Sequence, residues 1–77
     1  MSRHELRRSK LRNSLKKTDA QALLVTEVHN VTYLTGFTGD SSFLLLTKDD
    51  ELILSDKRYT TQLEEECPDL KFEVRGP

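Results

Sequence analysis

The sequence predicts a small α/β domain built on a mixed sheet, and three observations carry that prediction. Short apolar runs at residues 22–26, 42–47 and 51–55 read as strands. A strictly alternating stretch, Leu70-Lys71-Phe72-Glu73-Val74, reads as a fourth strand with one dry and one wet face. Between and before these lie segments free of glycine and proline, at residues 3–18 and 56–67, with helical spacing of their apolar residues. At 77 residues there is room for one domain with a modest core.

In chain order, residues 3–18 form a surface helix in which Leu11, Leu15 and the stem of Arg8 share one face. Ala22-Leu23-Leu24-Val25-Thr26 is unbroken apolar sequence, which predicts a strand buried on both faces. A helical turn around Val31, Tyr33 and Leu34 follows, and Gly36 is positioned to stop it. The two glycines Gly36 and Gly39 flank Phe37, which implies backbone with φ > 0 or a close approach to another group. The runs at 42–47 and 51–55 are separated by Lys48-Asp49-Asp50, a hairpin spacing that asks Asp50 for a left-handed conformation. Asp56 is the expected N-cap of the next helix, whose inward face is Tyr59, Leu63 and Cys67, and Pro68 closes it. The order is therefore α, β, α, β, β, α, β.

Composition narrows the function classes. Apolar residues make up 35% and charged residues 32%, the balance of a globular domain. No run approaches the 18 or so apolar residues that a membrane span needs, so no membrane partner is expected. The single cysteine, Cys67, has no intramolecular partner and points to a reducing compartment, the cytoplasm. The net charge of −1 conceals a segregation: Arg3, Arg7, Arg8, Lys10, Arg12, Lys16 and Lys17 face only Glu5 within residues 1–17, while the remainder is acidic. The two regions should attract one another. Nucleic-acid binding by the basic helix is disfavoured because its charges encircle the helix and no aromatic residues are interleaved.

Chemistry-bearing constellations are sparse. His4, His29 and Cys67 lack metal-ligand spacing, so no metal site and no catalytic residue is assigned to this chain. Cys67 follows three glutamates, the wrong electrostatic setting for a nucleophilic thiolate. Asp56-Lys57-Arg58-Tyr59 is more informative, since Arg58 and Tyr59 are residue types that anchor interfaces or complete a core.

Three blocks in series resemble a known family. Ala22-Leu23-Leu24-Val25-Thr26, then Asn30-Val31-Thr32-Tyr33-Leu34-Thr35-Gly36-Phe37-Thr38-Gly39, then Leu52-Ile53-Leu54-Ser55-Asp56-Lys57-Arg58-Tyr59-Thr60-Thr61-Gln62 are similar, in order and spacing, to the N-terminal domain of the creatinase, prolidase and aminopeptidase P enzymes. The resemblance implies a ribonuclease H-like α/β arrangement, with residues 1–77 as an incomplete, non-catalytic N-terminal domain that stops short at its C-terminal end. It implies a parent Xaa-Pro metallopeptidase, a hydrolase acting on proline-containing peptides. Two divalent metals, commonly manganese, would sit in a separate C-terminal catalytic domain, with no cofactor in this chain. The partners implied are that catalytic domain and further copies in a homo-oligomer. The domain's implied role is to support oligomerisation and restrict access to the active site, with Phe37, Asp40 and Ser41 on the loop that approaches substrate and Arg58 and Tyr59 in structure or interface. Phe37 is expected to offer apolar area at the rim. The family often carries glycine where Asp19 and Asp50 stand and proline where Val28 stands. The competing expectation is a free-standing interaction or dimerisation module with the same fold.

Overall fold

A computed structural model describes residues 2–75. The outermost residues of the expected 1–77 unit, Met1 and Gly76-Pro77, lie outside the described residues. Helix α1 (Arg3–Lys16) begins at Ser2, whose hydroxyl accepts from the Glu5 amide while the Glu5 carboxylate accepts from the Ser2 amide. Strand β1 (Ala22–Val25) leads to α2 (Val28–Thr35), capped by the Glu27 carboxylate on the Asn30 amide at 3.0 Å. That hydrogen bond is the main cause of a Glu27 pKa below the usual carboxylate value. Gly36 ends α2 in the left-handed region, with φ 80°.

The hairpin β2 (Phe43–Thr47) and β3 (Glu51–Asp56) follows, then a 3₁₀ turn (Lys57–Tyr59), α3 (Thr60–Glu66) and β4 (Lys71–Arg75). The sheet order is β1-β2-β3-β4, antiparallel across the first two pairs and parallel across β3 and β4. The mixed α/β architecture expected from the sequence is the one observed. Neither Asp19 nor Asp50 adopts positive φ. The hairpin turn closes instead through side chains: the Thr47 hydroxyl accepts from the Asp50 amide at 2.9 Å, and the Asp50 carboxylate accepts from the Glu51 amide at 2.9 Å.

All three helices contribute to a core on one face of the sheet, formed by Val31, Leu34, Phe37, Leu44, Leu46, Ile53, Leu63, Cys67 and Leu70, with Leu11, Leu23, Val25, Phe72 and Val74 packed around it. The register places Val25, Leu44, Ile53 and Phe72 in one inward row. The next row outward is Leu24, Leu45, Leu52 and Lys71, followed by Phe43, Leu54 and Glu73, and none of these belongs to the core. Strand β1 is thus an edge strand with Leu24 50% exposed, not the doubly buried strand that its apolar run predicts. The run is apolar on both sides, but the described chain covers only one of them.

The segregated charges meet as expected. Arg8, itself buried, places Nε 3.1 Å from the Glu51 carboxylate, an ion-pair contact without hydrogen-bond alignment, and Arg12 approaches the same oxygen at 3.5 Å. Arg7 and Arg8 also donate to the carbonyls of Tyr33 and Leu34, each at 2.9 Å, and so satisfy the C-terminal end of α2. The basic helix is bound to its own domain, with Arg7 lying over the Tyr33 ring.

Candidate functional site

The loop between α2 and β2 leaves the helix at Gly36 and crosses the end of the core. Its two glycines serve different ends. Gly36 supplies a left-handed φ, whereas Gly39 supplies space: a Cβ there would fall 2.5 Å from Phe37 Cζ and 3.1 Å from Tyr59 Cδ1. The ring that fills this space is Phe37, which is wholly buried and meets Tyr59 edge to face, 5.6 Å between centroids at 84°. The expectation that Phe37 stands at a rim is therefore corrected: within this domain it is a core residue. The loop turns inward because the Thr35 hydroxyl accepts from the Phe37 amide and the Thr32 hydroxyl donates to the Phe37 carbonyl, at 3.0 and 2.8 Å.

Asp40 and Ser41 are exposed at the loop's tip. Ser41 has φ 54°, the one positive value among non-glycine residues described. Asp40 accepts a hydrogen bond from the Tyr59 hydroxyl, and its carboxylate lies 3.6 Å from the Arg58 guanidinium. Donation to Asp40 raises the Tyr59 pKa above the usual phenol value. Arg58 is largely exposed, sits 5.0 Å from the Tyr59 ring centroid and also approaches Asp56 at 3.9 Å, while Asp56 caps the 3₁₀ turn through the Arg58 amide. Four of the five sequence-derived candidates, Phe37, Asp40, Arg58 and Tyr59, are thus brought together, with Tyr59 touching each of the other three, and Ser41 adjoins them.

Reading the sequence missed the other half of this cluster. The Glu66 carboxylate accepts from the Thr38 amide at 2.9 Å and from its hydroxyl at 3.2 Å, and the Gln62 amide donates to the Thr38 hydroxyl at 2.9 Å. The Ser42 and Ser55 hydroxyls pair in the interior at 2.8 Å. The available signal was the helical spacing of Tyr59, Gln62 and Glu66, which puts all three on the side of α3 that faces the loop.

A separate open groove of about 730 Å³ lies between α1, β1 and α2, lined by apolar residues such as Leu11, Leu23 and Leu34 and by polar ones such as Arg7, Glu27 and Asn30, and holds no histidine or cysteine. None of the loop candidates lines it. Cys67 is buried, its thiol 3.5 Å from the Thr35 carbonyl, and burial pushes its pKa up, with Glu66 adding to the effect. Among the described residues, no three His, Cys, Asp or Glu side chains converge on a common point.

The model of the creatinase/prolidase N-terminal domain matches residues 7–76. The chain belongs to that family. A solved N-terminal, creatinase/prolidase-like domain from Corynebacterium diphtheriae is 36% identical with a TM-score of 0.91, over 97% of this chain and 61% of that one. A Xaa-Pro aminopeptidase structure from Streptococcus pyogenes is 27% identical with a TM-score of 0.87, over 95% of this chain and 57% of that one. An uncharacterised peptidase of Bacillus subtilis is 35% identical over 67 residues, 87% of this chain but 17% of the relative. This creatinase-type domain accordingly spans 61% and 57% of those two solved chains and 17% of the Bacillus subtilis relative. No helix among the described residues is long and apolar enough to cross a membrane.

Proposed function

We propose that this chain is the non-catalytic N-terminal domain of a Xaa-Pro metallopeptidase, of aminopeptidase P or prolidase type. In this reading it supports assembly and narrows the approach to an active site carried by a C-terminal domain. Proline-containing peptides are the substrates of the whole protein, two divalent metals, manganese by preference, belong to the other domain, and the cytoplasm is the compartment. The observation that carries the reading is the family match across residues 7–76, together with the Xaa-Pro aminopeptidase structure that the chain overlays.

Two features of the fold support it. Asp40 and Ser41 project from an anchored loop, where they can border a cleft formed with another domain or subunit. The outer sheet face, bearing Leu24, Phe43, Leu45, Leu52 and Leu54, is the apolar layer against which further polypeptide of the same protein would pack. That face also favours a second reading, a self-associating module in which another copy supplies the cover. Incubating the purified chain with manganese and Ala-Pro or Ala-Pro-Ala should give no hydrolysis, and turnover would refute the non-catalytic assignment. Size-exclusion with light scattering separates the two readings: a stable dimer of the 77-residue chain that is abolished by Leu24→Lys favours the module.

A further inference from the structure

We propose that Tyr59, Gln62 and Glu66 are positioning residues: a polar rail along the turn preceding α3 and along α3 itself that holds the Phe37–Ser41 loop in a single shape. Gly36 leads into the loop and Gly39 lies within it, so its backbone has more freedom than a stretch without glycine. Yet it is held at both ends of the rail. At one end Glu66 accepts from the Thr38 amide and hydroxyl while Gln62 donates to that hydroxyl and to Glu66, at 2.9 and 3.3 Å. At the other end the Tyr59 hydroxyl donates to Asp40, and its ring closes over Phe37 and the Gly39 backbone.

Directly after the Asp40 anchor, Ser41 takes the left-handed region without being glycine. A residue in that conformation costs on the order of 1 kcal/mol and persists where its surroundings over-determine it. The rail supplies one side of such a surrounding, through Tyr59 on Asp40, and Ser42 supplies the other, its hydroxyl bonded to the Asp40 carbonyl and paired with Ser55. Glu66 is exposed and makes no ion pair among the described residues, so its carboxylate is committed to the loop and to Gln62 and not to a charge network. The consequence for access to a substrate rests on the function proposed above: a rigid loop presents Asp40 and Ser41 as a preformed edge in place of a mobile flap. The shape of the loop itself does not rest on that reading.

Amide hydrogen exchange followed by NMR on the 77-residue chain tests the rail directly and needs no peptidase activity. In Glu66→Ala the Thr38 amide should exchange about tenfold faster or more, the effect of losing a hydrogen bond to a charged acceptor. The amides of the β2–β3 ladder should keep their rates. Glu66→Gln retains an oxygen that can accept from Thr38, so it should restore most of the protection. Unchanged Thr38 exchange in Glu66→Ala overturns the proposal. So does an equal acceleration of the ladder amides, which would make Glu66 a support of the whole fold. Should Glu66→Ala not fold, Gln62→Ala decides: faster exchange at Thr38 alone supports the rail, and no change at Thr38 overturns it.

Discussion

The two faces of the sheet carry nearly the same residue types and have opposite fates. On the inner face Leu44, Leu46 and Ile53 are fully enclosed, whereas on the outer face Leu24 is 50% and Phe43 42% exposed. A leucine run such as Leu44-Leu45-Leu46 alternates between the two along a single strand. What separates the faces is the covering layer: α1, α2 and α3 all pack on one side. Apolarity on both sides of a strand therefore reports what a sheet is suited to meet, and only the arrangement of helices decides which side is met within these residues.

The sharpest contrast between the faces is energetic. Ile53→Ala opens a cavity in the enclosed row and should cost about 2–5 kcal/mol in chemical denaturation. A cost within about 0.5 kcal/mol would mean that the inner face is not the folding core. Gly39→Ala tests how tightly the loop end of that core is closed. Its Cβ would collide with the Phe37 ring, so a loss of roughly 1–3 kcal/mol is expected from forced repacking. If the variant matches the parent, the ring has room that the geometry denies it.

Cys67 offers a comparison by reactivity. Its buried thiol should react slowly with a water-soluble disulfide reagent, whereas a cysteine introduced by Leu24→Cys on the outer face should react at the rate of an exposed thiol. Because burial raises the Cys67 pKa, the sign of its pH effect is fixed. The stabilisation from keeping the thiol neutral is fully present below the ordinary value of 9.0 and is lost as pH rises through the elevated folded value. Denaturation midpoints should fall above that pH in the parent and fall less in Cys67→Ala. The smallest effect is expected outside: Leu24→Thr should change stability by no more than about 0.5 kcal/mol in the isolated chain. A cost approaching that of Ile53→Ala would show that another layer, such as a second copy, already covers this face.

The elements themselves were largely legible in the residues, because their signals are local. Gly36 stops α2 where a left-handed residue is needed, Asp56 caps the turn before α3, and the alternation of residues 70–74 matches the inward Phe72 and Val74 of β4. Opposite charges in the first helix and the remainder correctly implied attraction, although not that Arg8 would be buried against Glu51. The loop cluster was legible only in part. Phe37 reads as a rim aromatic between two glycines, and although the Thr32 and Thr35 hydroxyls that turn it inward are close by in sequence, the Tyr59 ring that closes over it is not.

By itself, the amino-acid order determined which segments are helix or strand, where they stop and which family they belong to, since capping, periodicity and motif spacing act over a few residues. Tertiary structure alone decided that β1 lies at an edge, that Phe37 turns inward and that Glu66 and Gln62 grip Thr38. Burial and hydrogen-bond pairing between distant residues depend on which surfaces come to face one another, and no local pattern encodes that.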